Sequence, residues 1–318
     1  MTLKMGFRQY LALPFGFVMF YLYGLTDSYL LSLTILTIIV KLILFPSAIS
    51  QQKGTAKQVR LQPKVKRIQN TYAGNQQKIQ AETQALYQKE GYNQMSSGCL
   101  PLLIQLPIMI GLWEVMYTPL TSILKIPENV IQNLTQAVLK IDPNLKEGNR
   151  QIQINILEHI GELANTKGLT GEMLTNIQNF ADKFQFFGIN LAETPKFSEF
   201  NILWIIPVLA GLTSLASALY TMMKQKRNNP GMQGGASMGC MALSTPLMSL
   251  AFTFMFPAGV GFYWIMSNII SFVQTVILYN IYSPKKMIAR QMVEETIRRR
   301  SYEENLKYIA ANSENEEE

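Results

Sequence analysis

A single lysine lies inside a stretch of sequence that is otherwise uncharged. Lys41 is the only charged residue between Ser28 and Ala48, and a helix of that length spans roughly 30 Å, the thickness of the bilayer's hydrocarbon core. A cation within such a span costs at least about 2.5 kcal/mol and usually faces water or protein. Lys41 is therefore a candidate functional residue. The alternative is that its long side chain, about 10 Å from the end of the stretch, extends to the interface.

Apolar blocks alternate with polar blocks along the whole chain. Charged residues make up 15% of its 318 residues and hydrophobic residues 48%, whereas about 25% of an average protein is charged. This segregation is typical of a membrane protein and not of a single soluble domain. We predict an all-α polytopic membrane protein with five transmembrane helices, at 28–48, 98–118, 201–223, 240–257 and 259–280. The last two come from one long uncharged run that Pro257 and Gly259 divide.

The distribution of lysine and arginine predicts the orientation of these spans. Residues 49–97 contain eight basic and two acidic residues, and residues 224–239 contain three basic residues and no acidic residue. Residues 119–200 contain seven basic and nine acidic residues. Because basic loops stay on the cytoplasmic side, the first two segments are predicted to be cytoplasmic and the third extracytoplasmic. Five spans then place the N-terminus outside and the C-terminus, with the tail 281–318, in the cytoplasm.

The segments between the spans carry further predictions. Residues 49–97 are expected to form a helical hairpin that turns near Gly74, with a thin apolar stripe and a bend or interruption at Pro63. Residues 119–200 are expected to form a loop with two weak amphipathic stretches. The short cytoplasmic loop 224–239 precedes the fourth span, and the tail 281–318 is expected to be a helix that frays into disorder.

Residues 1–27 are ambiguous between two positions in the membrane. Lys4 and Arg8 precede an apolar stretch, as in a signal peptide, but no cleavage site follows. Pro14 and Gly16 interrupt the stretch, which is short for a span. We predict an amphipathic helix lying on the outer surface, with an uncleaved span as the alternative.

The spans place polar side chains in one layer on their cytoplasmic side. The depths of Gln105, Ser217, Thr245 and Gln274, about 7–10 Å from the cytoplasmic end, match that of Lys41. Asn268 lies nearer mid-membrane, and Glu114 is expected near the outer surface, too far from Lys41 to pair with it. For serine and threonine, hydrogen bonding between helices is the alternative role. A lysine without a carboxylate at its depth needs water, so these residues predict a hydrated cavity that opens to the cytoplasm.

Several motifs resemble those of one family of membrane proteins. A span with one basic residue ends in Leu-Phe-Pro and precedes a basic hairpin, which is followed by Gly98-Cys99-Leu100-Pro101 and Gln105-Leu106-Pro107. The segments GINLAETP (188–195) and PAGVGFYWIMSN (257–268) precede and open later spans. This order resembles the YidC/Oxa/Alb membrane protein insertases of the bacterial plasma (inner) membrane, in their short form without a large outer domain.

The resemblance implies a fold and a function. Five helices surround a hydrophilic groove, open to the cytoplasm, which holds the polar segment of a substrate while the substrate's apolar span enters the lipid. Lys41 matches the position of the family's groove arginine, and Gln105 matches its polar residue in the second span. The groove residues are then expected to be Lys41, Gln105, Ser217, Thr245, Asn268 and Gln274.

The resemblance also bears on partners and alternatives. Nascent membrane proteins and the lipid bilayer are the expected partners, and the family implies that the basic hairpin and the tail contact substrates and ribosomes. The residues leave open whether the Sec translocon is a partner. A small-solute transporter or channel is the alternative function, although no internal repeat supports it. No paired acids and no HExxH motif indicate an enzyme, and we expect no cofactor. The lone histidine, His159, predicts no metal site.

Overall fold

The computed structural model describes residues 6–92, 100–143, 145–146, 148–186, 188–191, 193–228 and 236–316. This part of the chain is predominantly helical, as the composition predicts. The helices are α1 (Phe7–Thr26), α2 (Tyr29–Ile43), α3 (Phe45–Thr71), α4 (Gln76–Lys89), α5 (Leu100–Tyr117), α6 (Pro119–Ser122), α7 (Glu128–Ile141), α8 (Ile152–Glu158), α9 (Gly171–Lys183), α10 (Ile205–Asn228), α11 (Ala236–Thr253), α12 (Ala258–Ile281) and α13 (Pro284–Glu316). A 3₁₀ turn at Ile202–Trp204 precedes α10, and strands β1 (Gln185–Phe186) and β2 (Ile189–Asn190) pair antiparallel.

Few of these helices meet the length and composition of a membrane span. Among the described residues, Ile202–Arg227 and Ala258–Ile281 are long and apolar enough to cross a bilayer. A third candidate arises if α2 and α3 are counted as one broken span, and Leu106–Tyr117 is a shorter apolar helix. The uncharged run 240–280 forms the two separate helices α11 and α12.

The single helix expected over residues 28–48 is not what the chain forms. Helix α2 ends at Ile43, and α3 begins at Phe45 and continues to Thr71. Proline has no backbone N–H and its ring clashes with the carbonyl four residues earlier, so Pro46 removes the helical hydrogen bond to Leu42. The 15 residues of α2 therefore extend only about 22 Å.

At other prolines and glycines an interruption was expected, but the helices continue through them. Helix α3 passes through Pro63, and α1 passes through Pro14 and Gly16. A Cβ added to Gly16 would lie 3.3 Å from the Cβ of Ser122, so the glycine allows α1 to approach α6 closely. Its role is packing and not the termination of a helix.

One compact unit comprises Met1–Phe45, Leu102–Met222 and Gly234–Gln274. Its core is formed by α1, α2 and α5 together with the helices of segment 119–200, and it includes Met19, Tyr29, Leu33, Leu36, Leu112, Leu120, Leu134, Val138, Ile156, Ile177 and Phe180. Segment 119–200, predicted as a loop between spans with two weak amphipathic stretches, thus packs on α1 and α2, and α7 and α8 lie in those two stretches.

Two of the motifs that carry the family resemblance contact each other in this unit. The backbone N–H of Ala258 donates to the carbonyl of Glu193 at 2.7 Å, and that of Gly259 donates to the carbonyl of Leu191 at 2.9 Å. These bonds satisfy N–H groups in the first turn of α12, which have no partner within the helix. A Cβ on Gly261 would lie 2.3 Å from Cγ2 of Ile206. The carbonyls of Leu191 and Glu193 therefore cap the start of α12, and Gly261 allows the close contact of α12 with α10.

A second compact unit comprises Pro46–Pro101, Met223–Gln233 and Thr275–Glu318. Helices α3 and α4 are joined by a turn in which Gly74 has a φ of 90°, a conformation that favours glycine. At the N-terminus of α4 the side chain of Asn75 accepts a hydrogen bond from the N–H of Lys78 at 3.1 Å. This cap stabilises the first turn of α4.

Ion pairs link the helices of this second unit. Arg60 on α3 donates two hydrogen bonds of 2.7 Å to Glu295 on α13, and these bonds lower the pKa of the Glu295 carboxyl. The hydrogen bond from Lys64 likewise lowers the pKa of Glu90. Helix α13 continues to Glu316, so the expected fraying of the tail is not seen over its described residues.

Candidate substrate-binding groove

Lys41 lies in the last turn of an apolar helix. The face of α2 that includes Leu36 and Val40 is buried, whereas Leu42 and Ile43 are 64% and 70% exposed. Lys41 lies between these two faces and is half-buried. No hydrogen bond or ion pair joins it to another residue in the described part of the chain. A charged ammonium in that position depends on water for solvation.

Asn268 has the opposite environment. Its Nδ2 lies 3.2 Å from the carbonyl oxygen of Ala210, 3.3 Å from Oγ1 of Thr213 and 3.4 Å from Oγ of Ser249. The Ser249 hydroxyl also donates to the Ala210 carbonyl at 3.2 Å. These bonds connect α10, α11 and α12, and we call this group of four residues the asparagine node. Such bonds between apolar helices are typical of helix association in membranes.

Ser217 and Gln274 are half-buried on α10 and α12. The Oγ of Ser217 is buried without a hydrogen-bond partner among the described residues, although the Ser217 carbonyl accepts a bond of 2.9 Å from Thr221. Gln274 likewise forms no hydrogen bond within the described chain. Both side chains therefore retain capacity to bind water or a ligand.

The two remaining candidates cannot be placed at the level of side chains. Gln105 lies on α5 and Thr245 on α11, but their side chains are outside the described residues. Of the six predicted groove residues, the structure thus gives direct partners only to Asn268. It shows no contact that joins Lys41, Ser217 and Gln274 to one another within the described side chains.

The acidic residue predicted not to pair with Lys41 has a different partner. Glu114 on α5 accepts a hydrogen bond of 3.3 Å from Arg150, and the Arg150 guanidinium lies 4.9 Å from the ring centroid of Tyr117. Arg150, and not Lys41, is the cation that pairs with Glu114 among the described residues. The lone histidine caps a helix, since Nδ1 of His159 lies 3.0 Å from the Asn155 carbonyl oxygen.

The sequence analysis missed three members of the asparagine node, Ala210, Thr213 and Ser249. Thr213 and Ser249 were not singled out because serine and threonine are frequent in the spans and most bond to their own helix, as Thr221 does. A usable signal was the helical spacing of small and polar residues on α10, where Ala210 and Thr213 are three positions apart and therefore share a face.

Comparison with known proteins identifies the family. Residues 21–286 match the family of the 60Kd inner membrane protein. The chain belongs to this family. All six candidate groove residues and both motifs at the start of α12 lie within the matched range.

Several relatives in this 60Kd family share most of the chain. The protein named membrane protein insertase YidC 1 of Listeria monocytogenes is 26% identical over 282 residues, which cover 86% of this chain and 73% of the relative. Membrane protein insertase MisCA of Bacillus subtilis is 26% identical over 275 residues, covering 85% and 78%. Membrane protein insertase YidC of Clostridium perfringens is 25% identical over 274 residues, covering 86% and 88%.

Proposed function

We propose that this protein is a membrane protein insertase and chaperone, which inserts integral membrane proteins into the lipid bilayer and helps them fold. The observation that carries the proposal is the match of more than four fifths of the chain to relatives that are named membrane protein insertases. The substrates are nascent membrane proteins. The proposed mechanism consists of binding a substrate and partitioning it into the lipid, without a covalent step.

The proposed mechanism depends on a hydrated groove that carries Lys41. Its ammonium is half-buried on an apolar helix without a described partner, which supports solvation by water within the membrane. A positive charge in a region of low dielectric attracts an acidic polar segment of a substrate more strongly than it would in bulk water. Lysine presents a compact charge and not the two-pronged fork of arginine, so we propose attraction without bidentate binding.

The neutral candidates have two different proposed roles. Ser217 and Gln274 have unused hydrogen-bonding capacity, and we assign them, with Gln105 and Thr245, to the polar lining that receives a substrate's peptide groups. Asn268 already bonds to two neighbouring helices, and we assign it to holding the helices together. We therefore do not assign Asn268 to the groove lining.

The proposed topology has five spans in a bacterial plasma membrane, with the N-terminus outside and the C-terminus in the cytoplasm. Its support is the basic character of segments 49–97 and 224–239. Helices α2 and α5 are short for an average bilayer, and a short apolar helix is accommodated where the bilayer thins locally. Local thinning would lower the barrier to a polar segment that crosses at this point.

We extend the proposal to partners through the charges on α3 and α13. Both helices expose basic residues, among them Lys66 and Arg67 on α3 and the run Arg298–Arg300 on α13. Basic surfaces attract the polyanionic RNA of a ribosome and also anionic lipids. The Sec translocon remains a candidate partner that co-purification from membranes would test.

The experiment is the rescue of a bacterium depleted of its own insertase. Wild type, Lys41→Arg and Lys41→Ala are expressed to equal membrane levels, with Lys140→Ala as a control that removes an exposed lysine from α7. We expect wild type, Lys41→Arg and the control to restore growth and the insertion of a reporter with an acidic segment. We expect Lys41→Ala to fail because the groove loses its charge.

Two other outcomes would contradict parts of the proposal. If Lys41→Ala rescues as well as wild type, Lys41 extends to the interface and the charge has no role in insertion. If wild type does not rescue in several hosts despite full expression, the insertase function itself is wrong.

A further inference from the structure

A group of aromatic rings lies just before α10, in the first compact unit. The ring centroid of Trp204 is 5.4 Å from that of Phe197 and 5.0 Å from that of Phe200. The ring of Phe254, the residue that follows α11, lies 4.9 Å from Trp204 and 5.6 Å from Phe197. We call these four residues the aromatic cluster. Its rings join the segment before α10 to the end of α11.

The backbone before α10 holds the indole of Trp204 in place. Its Nε1 donates to the carbonyl oxygens of Lys196 at 3.1 Å and Glu199 at 3.0 Å. These bonds satisfy the indole, whose N–H is its one hydrogen-bonding group. The ring can therefore lie in apolar surroundings without losing a hydrogen bond to water.

The two phenylalanines of the cluster that precede α10 are the most exposed aromatic residues in the described part of the chain. Phe200 is 86% exposed and Phe197 is 77% exposed. Ile202 and Met255 lie close to the cluster along the chain and are 57% and 67% exposed. Contiguous apolar surface of this kind marks a contact with another protein or with a membrane.

The charges of the segment favour the membrane. Lys196 and Glu199 are the only charged residues between positions 195 and 204, and their side chains pair with each other at 3.0 Å. The segment thus has no net charge with which to select a charged protein surface. Contact with lipid requires only apolar area at the correct depth.

The length of the span that follows gives that depth. Ile202–Arg227 is long and apolar enough to cross a bilayer, and Lys224 is its first charged residue. The twenty positions from Trp204 to Lys224 cover roughly 30 Å at the helical rise, the thickness of the hydrocarbon core. With Lys224 at one interface, Trp204 lies at the other, where aromatic side chains are favoured.

We propose that the aromatic cluster inserts into the bilayer interface at the start of α10, which is the outer leaflet in the proposed topology. Phe197 and Phe200 contact the acyl chains next to the lipid headgroups, and the charged side chains of the segment remain in water. The cluster thereby fixes the depth of α10. This lipid contact goes beyond the proposed insertase function, which assigns no role to the segment.

The first test measures lipid contact at Phe200. The full-length protein, with Cys99 and Cys240 replaced by serine, carries a spin label at Phe200→Cys in phosphatidylcholine nanodiscs. The control label is at Asn176→Cys, an exposed polar position on α9. Power-saturation electron paramagnetic resonance compares collisions with oxygen, which concentrates in lipid, and with a water-soluble nickel complex.

We expect the ratio of oxygen to nickel collisions to be at least about tenfold higher at position 200 than at position 176, since burial of a phenyl ring is worth more than a factor of ten. Equal ratios would overturn the proposal. Dipolar coupling between labels on neighbouring molecules, with few collisions from either reagent, would also overturn it, because a second copy of the chain would then cover the cluster.

The second test leaves Trp204 as the only tryptophan, with Trp113 and Trp264 replaced by phenylalanine. We expect stronger fluorescence quenching by lipids brominated near the headgroup than by lipids brominated near the terminal methyl group. Phe197→Ser/Phe200→Ser should shift the Trp204 emission to longer wavelength, because the indole then lies nearer water. The control Phe7→Ser/Tyr10→Ser removes two exposed rings from α1 and should leave the emission unchanged. No quenching by either lipid would contradict the proposal.

These measurements are independent of the insertase function. If wild type rescues depleted cells while the labels at positions 200 and 176 give equal collision ratios, the lipid contact alone is wrong. If wild type does not rescue, the insertase function is wrong, and the collision ratios still decide whether the aromatic cluster contacts lipid.

Discussion

Asn268 and Lys41 are polar residues on apolar helices of the same compact unit, and they satisfy their hydrogen-bonding groups differently. Asn268 lies within 3.4 Å of three acceptors on two other helices. Lys41 is half-buried and has no described partner. A satisfied amide holds helices together at little cost, whereas a lysine without a protein partner requires water. In the proposed mechanism, this difference separates residues that hold the helices together from residues that remain available to a substrate.

Ser217, like Lys41, has a polar side chain without a described partner. Its hydroxyl is buried without a described partner, whereas the Ser249 hydroxyl bonds to a neighbouring helix. Two serines on adjacent helices thus have different expected roles. The comparison predicts that mutation of the node lowers the free energy of unfolding. Mutation of the unpartnered residues is predicted to change water access to the groove and insertion activity.

Water access should show the largest difference. The test uses a background in which Cys99 and Cys240 are replaced by serine. We expect Lys41→Cys to react with a charged maleimide more than about tenfold faster than Asn268→Cys, which corresponds to at least about 1.4 kcal/mol in the free energy of exposing the thiol. Rates are measured in membrane vesicles, and Leu33→Cys in the packed core provides the unreactive reference. Equal rates at positions 41 and 268 would contradict the inference that water reaches Lys41 and is excluded from the asparagine node.

Loss of the node amide should have the next largest effect. Asn268→Leu removes the bonds to Ala210, Thr213 and Ser249 and should lower the free energy of unfolding by about 1 kcal/mol. Unfolding in mixed micelles, followed by circular dichroism, measures the change. A variant as stable as wild type would show that the node contributes packing and no hydrogen-bond energy.

A double-mutant cycle sharpens this estimate. Asn268→Ala and Ser249→Ala, alone and combined, should give a coupling energy of about 0.6 kcal/mol, the average for hydrogen bonds between membrane helices. The pair Ser217→Ala and Asn268→Ala provides a control, since no bond joins these side chains, and its coupling should be near zero. Coupling of equal size in both cycles would mean that it arises from general packing.

The smallest effect is expected for Ser217→Ala. Its hydroxyl gives up no described hydrogen bond, so the free energy of unfolding should change by less than about 0.5 kcal/mol, as for substitutions without a specific mechanism. The same mixed-micelle titration measures it. A loss above about 1 kcal/mol would place Ser217 in a hydrogen-bond network with water that stabilises the helices.

Part of the fold could be predicted from local sequence. The apolar stretches indicate where α10, α11 and α12 lie, because hydrophobicity and helix length are properties of contiguous residues. The break at Leu44 was missed, although Pro46 provides its cause. The folding of segment 119–200 onto α1 and α2 was also missed, since its weak amphipathic pattern says nothing about which surface covers it. The partner of a buried face is a non-local property.

The candidate site, like the fold, could be predicted only in part from the sequence. The residue types of Lys41, Ser217 and Asn268 and the helices that carry them followed from the sequence, as did the family, because its motifs are contiguous. Their roles depended on the tertiary structure. The bond between Asn268 and Ala210 joins residues 58 positions apart, and no periodicity fixes the rotation of one helix against another. Sequence determined which polar groups enter the apolar helices, and only packing decided which of them are satisfied, because a hydrogen bond requires two atoms to lie within about 3.5 Å.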